Sequence, residues 1–143
     1  MKSGDFTWTW VCTLAANLHG QLDDGAKVLL MESCGRACAR SASVASAKAC
    51  GGDMAKLVSQ MRKWVGKSNV KREGDSIQIA YDKCYCRLDE ELSKQLGDVH
   101  CYCSRGWLKE MFETVAGHPV DVELLESIKR GGAQCRFIVR LRS

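Results

Sequence analysis

The spacing of the apolar residues changes near Lys71, from a helical period to a strand period. Before this point, residues such as Leu57 and Met61 recur at helical intervals, whereas after it Ile77 and Ile79 alternate with polar neighbours. Because each half must bury its apolar side against the other, an α+β fold is predicted. We expect N-terminal helices packed on a C-terminal antiparallel β-sheet, with one further long helix.

Capping residues and glycines divide the helical pattern into segments. A first helix is predicted over residues 6–20, and a second begins near Asp23, whose carboxylate can cap it. Asp53 caps a third helix, and a short polar helix is predicted over residues 88–96. The long helix follows Ser104, and Cys101 and Cys103 are expected just ahead of it in an extended segment.

Three strands are predicted from alternating apolar residues, over 77–81, 120–125 and 135–141. The last two are expected to pair as a hairpin. Phe137 lies on the apolar face of the final strand, and Phe112 lies on the apolar stripe of the long helix. Both side chains are therefore expected in one core.

A length of 143 residues suits one domain, mainly helical over 1–70 and strand–helix–hairpin over 71–143. The net charge of +4 and the lack of a long basic run argue against nucleic acid as a partner. No apolar run is long enough to span a membrane, and no signal peptide follows Met1. A cytoplasmic location is expected, and the oligomeric state is left open.

Nine cysteines is a high count, and an odd one, for a chain of 143 residues. In a reducing compartment such a count favours metal binding or thiol chemistry over a disulfide framework. Two Cys-Tyr-Cys triplets concentrate four of them, at Cys84, Cys86, Cys101 and Cys103. In extended backbone each triplet presents two thiols on one face. Four thiolates suit zinc, so these residues are the predicted metal ligands. A redox or nucleophilic thiol and plain apolar packing are the alternatives.

A second group of cysteines lies in the second helix, where Cys34 and Cys38 share one face. Gly35 between them permits close approach of another backbone. Cys34, Cys38, Arg105 and Trp107 are the candidate ligand-binding residues, with tight helix packing as the alternative.

Two motifs in the second half carry a family resemblance: Cys103-Ser104-Arg105-Gly106 at the start of a helix, and the run 131–137, which ends in Cys135-Arg136-Phe137. With the order of elements from Ile77, residues 75–142 resemble the 4-vinyl reductase type of small-molecule-binding domain. They also resemble the C-terminal part of the bacterial L-2-amino-thiazoline-4-carboxylic acid hydrolase-like family.

The resemblance implies an antiparallel sheet against helices with a ligand pocket between them. It also implies zinc bound through cysteines, as in some members of the 4-vinyl reductase type. Such domains often carry a cysteine eight residues before the final Cys-x-Phe cysteine, and Ser127 stands at that position here. The two triplets would then have to supply the ligands.

Two functions follow as expectations. The first is a small-molecule- or metal-binding domain, for example a sensor, with a cysteine-rich site that binds zinc. The alternative is a small cysteine-dependent, hydrolase-like enzyme acting on a sulfur- or nitrogen-containing metabolite. In that case Cys101 or Cys103 is the nucleophile and His100 or His118 the base.

Overall fold

The computed structural model of the protein describes residues 5–85 and 90–142, without the side chain of Glu91. Its helices are α1 (Phe6–Gln21), α2 (Asp24–Cys38), α3 (Val44–Lys48), α4 (Met54–Val65), α5 (Glu90–Leu96) and α6 (Cys101–Ala116). Its strands are β1 (Val70–Glu73), β2 (Ser76–Tyr81), β3 (Asp121–Glu126) and β4 (Cys135–Arg140). A π-helical turn, Ala39–Ser43, joins α2 to α3, and 3-10 turns cover Lys67–Asn69, Gly97–His100 and Ile128–Arg130. The predicted α+β class is confirmed.

Aspartate side chains cap the first, second and fourth helices. The carboxylate of Asp5 accepts from the backbone N–H of Thr7, and Asp23 and Asp53 act in the same way on α2 and α4. The helix starts predicted at Asp23 and Asp53 are therefore confirmed. The predicted helix over 88–96 is observed from Glu90 onward, and its first two residues lie outside the described part.

The four strands form one antiparallel sheet in the order β1-β2-β4-β3. The hairpin predicted from the last two strands is confirmed, with Val122 opposite Val139. On the outer face Arg140 lies 3.5 Å from Asp121 and 3.0 Å from Glu123. The basic residues of β4 thus face the acidic residues of β3.

The core lies between the inner face of the sheet and α6. Phe112 and Phe137 are fully buried in it, together with Leu108 and Met111 of the helix and Ile79 of β2. The expectation that both phenylalanines share one core is confirmed. Leu57 and Met61 of α4 pack into the same core. Elements from before and after the change of period near Lys71 therefore meet in one core.

Two glycines allow α2 and α6 to cross in close contact. A Cβ atom on Gly35 would lie 1.8 Å from the carbonyl oxygen of Cys103, and one on Gly106 would lie 2.0 Å from that of Glu32. Only glycine fits at these two positions without separating the helices. The close approach predicted at Gly35 is confirmed.

Ion pairs between α2 and α6 flank this crossing. Glu32 is buried, and its carboxylate lies 2.6 Å from Arg105 Nε and 3.2 Å from Lys109 Nζ. Arg36 lies 2.7 Å from Glu113. An ion pair between Glu32 and Arg36 within α2 would fit the helical spacing, but both side chains instead turn to charges on α6.

Helix α6 begins at Cys101, ahead of the predicted cap residue Ser104. The 3-10 turn Gly97–His100 runs directly into α6 because the backbone of His100 and Cys101 is already helical. The expected extended segment at Cys101 and Cys103 is therefore wrong, since both residues lie in the first turn of α6. Within the described ranges, no helix is long and apolar enough to cross a membrane.

Candidate functional site

The thiol of Cys101 is buried where the first turn of α6 meets the segment between β3 and β4. Its Sγ lies 2.9 Å from the Oγ of Ser127, and both side chains are buried. Ser127 is held by its own backbone, because its carbonyl accepts from the N–H of Arg130 at 3.1 Å and of Gly132 at 2.9 Å. The resulting turn places the Ser127 hydroxyl in hydrogen-bond contact with the sulfur of Cys101.

Cys135, the first residue of β4, supplies a second buried thiol to the same place. The backbone N–H of Ile128 donates to its Sγ at 3.4 Å. The thiols of Cys101 and Cys135 interact closely enough to shift each other's pKa in opposite directions. Ser127 and Ile128, adjacent in the chain, therefore each bind one sulfur of a thiol pair.

These contacts make the two thiols unequal. The interaction with Cys135 is the largest influence on Cys101. Together with the Ser127 hydroxyl and the electrostatic effects of His100 and Lys129, it lowers the pKa of Cys101 to about 6, against the opposing effect of burial. The interaction with Cys101, followed by burial, raises the pKa of Cys135. The shared contact therefore favours ionisation of Cys101 and disfavours that of Cys135.

Hydrogen bonds fasten the β3–β4 segment to α5 and to the turn before α6. Lys129 Nζ donates to Ser93 Oγ, which lies 3.1 Å from Nδ1 of the buried His100. Arg130 extends this contact, with its Nε 3.1 Å from Asp98. This network holds the ammonium group of Lys129 near Cys101.

An apolar cavity of about 360 Å³ lies on the other side of His100, between α1 and the helices α2, α5 and α6. Its wall is made of aliphatic side chains, three cysteines and a few polar groups. The aliphatic residues are Val11, Leu14, Ala15, Leu18, Leu22, Leu30, Met31, Leu92, Leu96 and Val99. The cysteines are Cys34, Cys38 and Cys103, and the polar residues are His19, Lys27 and His100.

The cavity exists because α1 stands away from the core. Trp8 is its buried residue, whereas Leu14 and Leu18 in the cavity wall remain 43% and 38% exposed. A helix that is apolar on more than one side normally buries that surface. Leu14 and Leu18 instead face the cavity between α1 and α2.

The structure brings the predicted metal ligands only partly together. Cys101 points to Ser127 and Cys135, whereas Cys103 lines the apolar cavity, because residues two apart on a helix point in different directions. Cys84 follows β2 and lies close enough to Cys135 to contribute to its raised pKa. Cys86 lies outside the described residues. Among residues 5–85 and 90–142, no group of three or more His, Cys, Asp or Glu side chains is arranged to hold a metal ion.

The candidate ligand-binding residues separate into two pairs. Cys34 and Cys38 line the cavity. Arg105 pairs with Glu32, and Trp107 packs edge-on against Trp64, at 6.0 Å between ring centroids, while its Nε1 donates to Ser43. Both α6 residues thus take part in contacts between helices.

Of the two candidate bases, His100 adjoins the thiol pair and His118 does not. His118 follows the far end of α6, which at 16 residues is about 24 Å long. There it lines an open depression together with Asp75 and Arg142. His100 is therefore the histidine whose position suits chemistry at Cys101.

Sequence reasoning did not identify Ser127 and Cys135 as site residues. Strand alternation places Cys135 on the buried face of β4 with Phe137, which was the available signal. Ser127 was noted only as the position where the resembling family carries a cysteine eight residues before Cys135, and its contact with Cys101 depends on a non-local turn. The apolar wall of α1 was visible in the spacings Trp10–Leu14–Leu18 and Val11–Ala15, but its separation from α2 was not.

Comparison with known proteins gives one match. Residues 3–143 match the profile of DUF6144, a family of unknown function. No curated protein and no solved structure matches the chain.

Proposed function

The chain belongs to DUF6144, a family of unknown function, and we propose from its geometry that it is a binding domain for an apolar small molecule. The observation that carries this proposal is the cavity of about 360 Å³ between α1 and α2, which is within the usual volume of small-molecule sites. Its membership of the 4-vinyl reductase type stays a prediction.

The composition of the cavity wall favours an apolar ligand. Aliphatic side chains and thiols form most of the surface, and the exposed parts of Leu14 and Leu18 would leave water when the cavity fills. Removing such surface from water gains roughly 25 cal/mol per Å². Ligand binding therefore supplies the burial that α1 does not obtain from the protein itself.

Three polar groups in the wall give the ligand an orientation. His19 and Lys27 lie on α1 and α2, and His100 lies next to the thiol pair. Lys27 is mostly buried, and its Nζ is 3.8 Å from the fully exposed Asp24. A few polar groups in an apolar wall are typical of sites that fix one end of a ligand.

A direct test is titration with the neutral fluorescent probe N-phenyl-1-naphthylamine. Wild-type protein should bind one equivalent with an increase in emission. Ala15→Trp should abolish saturable binding, because Ala15 lines the cavity and the indole would occupy its volume.

Ala16→Trp is the matched control, since Ala16 is the next residue of α1 and is exposed. It should bind the probe like the wild type. Equal binding by both variants, or no saturable binding by the wild type, would contradict the proposal. Circular dichroism should show that both variants keep their helix content.

Zinc binding by Cys84, Cys86, Cys101 and Cys103 stays a prediction. Thiolates are suitable zinc ligands, and the lowered pKa of Cys101 supports its ionised form. Elemental analysis of protein purified without added metal tests it. One equivalent of zinc would support a thiolate site, and a metal-free folded protein would contradict it.

Thiol chemistry at Cys101 is the second candidate function, favoured by its lowered pKa and by the adjoining His100. It would make the protein a small cysteine-dependent enzyme, hydrolase-like in its reaction. Cys101→Ser should then abolish turnover of a bound sulfur- or nitrogen-containing metabolite while folding is kept. Cys103→Ser is the comparison, because Cys103 lines the cavity instead.

A further inference from the structure

We propose that Cys101 and Cys135 form a hydroperoxide-reactive dithiol that closes reversibly to a disulfide. The proposal is independent of any ligand in the apolar cavity. It starts from one geometric fact: two buried thiols, one from α6 and one from β4, contact consecutive residues of the segment between β3 and β4, Cys101 at Ser127 and Cys135 at Ile128.

Adjacent residues of the β3–β4 segment hold the two sulfurs in place. Ser127 Oγ is 2.9 Å from Cys101 Sγ, and the N–H of Ile128 is bonded to Cys135 Sγ at 3.4 Å. Because Ser127 and Ile128 are consecutive, the two sulfurs are held in one place, where side-chain rotation can bring them to bonding distance. Both thiols are buried, so access favours a small oxidant such as hydrogen peroxide.

The proposed reaction has two balanced steps. The Cys101 sulfur, having given its proton to solvent, attacks the outer oxygen of a hydroperoxide, ROOH. The O–O bond breaks, the sulfenic acid forms, and the departing RO⁻ takes one proton from water to become ROH. Cys135 sulfur then attacks the sulfenic sulfur, forming the S–S bond and releasing water with its own proton. Overall, two thiols and one ROOH give one disulfide, one ROH and one water, with two electrons passing to the peroxide.

Among the other described cysteines, Cys50 offers a matched comparison. It is buried like Cys101, but its thiol lies 3.4 Å from the carbonyl oxygen of Ser46, in its own helical turn. It therefore has a backbone acceptor where Cys101 has a second thiol. Cys50 should stay reduced under conditions that oxidise the pair.

Peptide mapping of the folded wild-type protein after hydrogen peroxide treatment tests the proposal. We expect a Cys101–Cys135 cross-link with loss of two hydrogen atoms, reversed by dithiothreitol, while Cys50 stays reduced. Cys135→Ser should lose the cross-link and accumulate oxidised Cys101, whereas Cys103→Ser should keep the cross-link.

Two results would overturn the proposal. One is that Cys101 and Cys135 remain thiols in folded wild-type protein while other cysteines oxidise. The other is that Cys101 passes to the sulfinic acid without cross-linking. Because the wild-type map decides both outcomes, the test does not depend on whether a variant folds.

Discussion

The Sγ of Cys101 and the Oγ of Ser127 lie 2.9 Å apart although 26 positions separate them in the chain. This contact joins the start of α6 to the segment between β3 and β4. The next residue, Ile128, donates its N–H to Cys135 Sγ at 3.4 Å, so the same segment holds both thiols. The surroundings of Cys101 are therefore made by tertiary contacts and not by either Cys-Tyr-Cys triplet.

The pH dependence of alkylation at Cys101 follows from these contacts. Because its pKa is lowered to about 6, the thiolate forms as pH rises through that value, and the rate of modification should rise with it. Iodoacetamide labelling from pH 5 to 9, followed by peptide mapping, measures the midpoint. An unperturbed thiol would titrate near pH ~8.5.

Ser127→Ala checks the cause of this shift. Without the hydroxyl, the thiolate loses a hydrogen bond, so the midpoint for Cys101 should move to higher pH. Thr13→Ala is a control, because the exposed Thr13 hydroxyl donates only to the backbone carbonyl of Thr9 within α1 among the contacts described. Its loss should leave the midpoint for Cys101 unchanged. An unchanged midpoint in Ser127→Ala would contradict the assigned role of the serine.

Gly35→Ala should destabilise the protein by at least about 2 kcal/mol, because the added methyl would collide with the backbone of Cys103 and force α2 from α6. Gly25→Ala, on the same helix, meets only Asp23 Oδ1 at 3.5 Å. It should be neutral or stabilise by about 0.5 kcal/mol through helix propensity. Urea unfolding of both variants measures the difference, and equal stabilities would rule out the close crossing.

Phe137→Ala should cost about 3–5 kcal/mol in the free energy of unfolding, because the ring is fully buried against the helix layer. Leu125→Ala on the neighbouring strand is the comparison, since Leu125 is exposed and its loss should cost at most about 0.5 kcal/mol. Chemical denaturation gives both values. A loss at Phe137 no larger than at Leu125 would mean that the assigned register of β4 is wrong.

Much of the fold could be predicted because its elements are marked locally. The capping residues Asp23 and Asp53 mark the starts of two helices, and alternating apolar and polar residues mark β2, β3 and β4. These signals depend on residues close in sequence, so no tertiary information was needed. The start of α6 was missed because Ser104 resembles a cap, whereas the chain is already helical at His100.

The candidate site was harder to predict for a physical reason. Cys-x-Cys gives neighbouring thiols only in extended backbone, and a change to helix separates Cys101 from Cys103. The partners that Cys101 does contact, Ser127 and Cys135, come from a turn and a strand whose packing no local pattern encodes. Likewise, the apolar residues of α1 predicted a helix, but not a cavity beneath it.

The most direct test of the proposed binding function is a methyl spectrum of leucine-labelled protein, recorded by NMR during titration with N-phenyl-1-naphthylamine. Resonances of Leu14, Leu18 and Leu30, which line the cavity, should shift and saturate together. Those of Leu29 and Leu125, which are exposed elsewhere, should not. Unchanged Leu14 and Leu18 resonances at saturating probe, or shifts confined to Leu29 and Leu125, would contradict binding between α1 and α2.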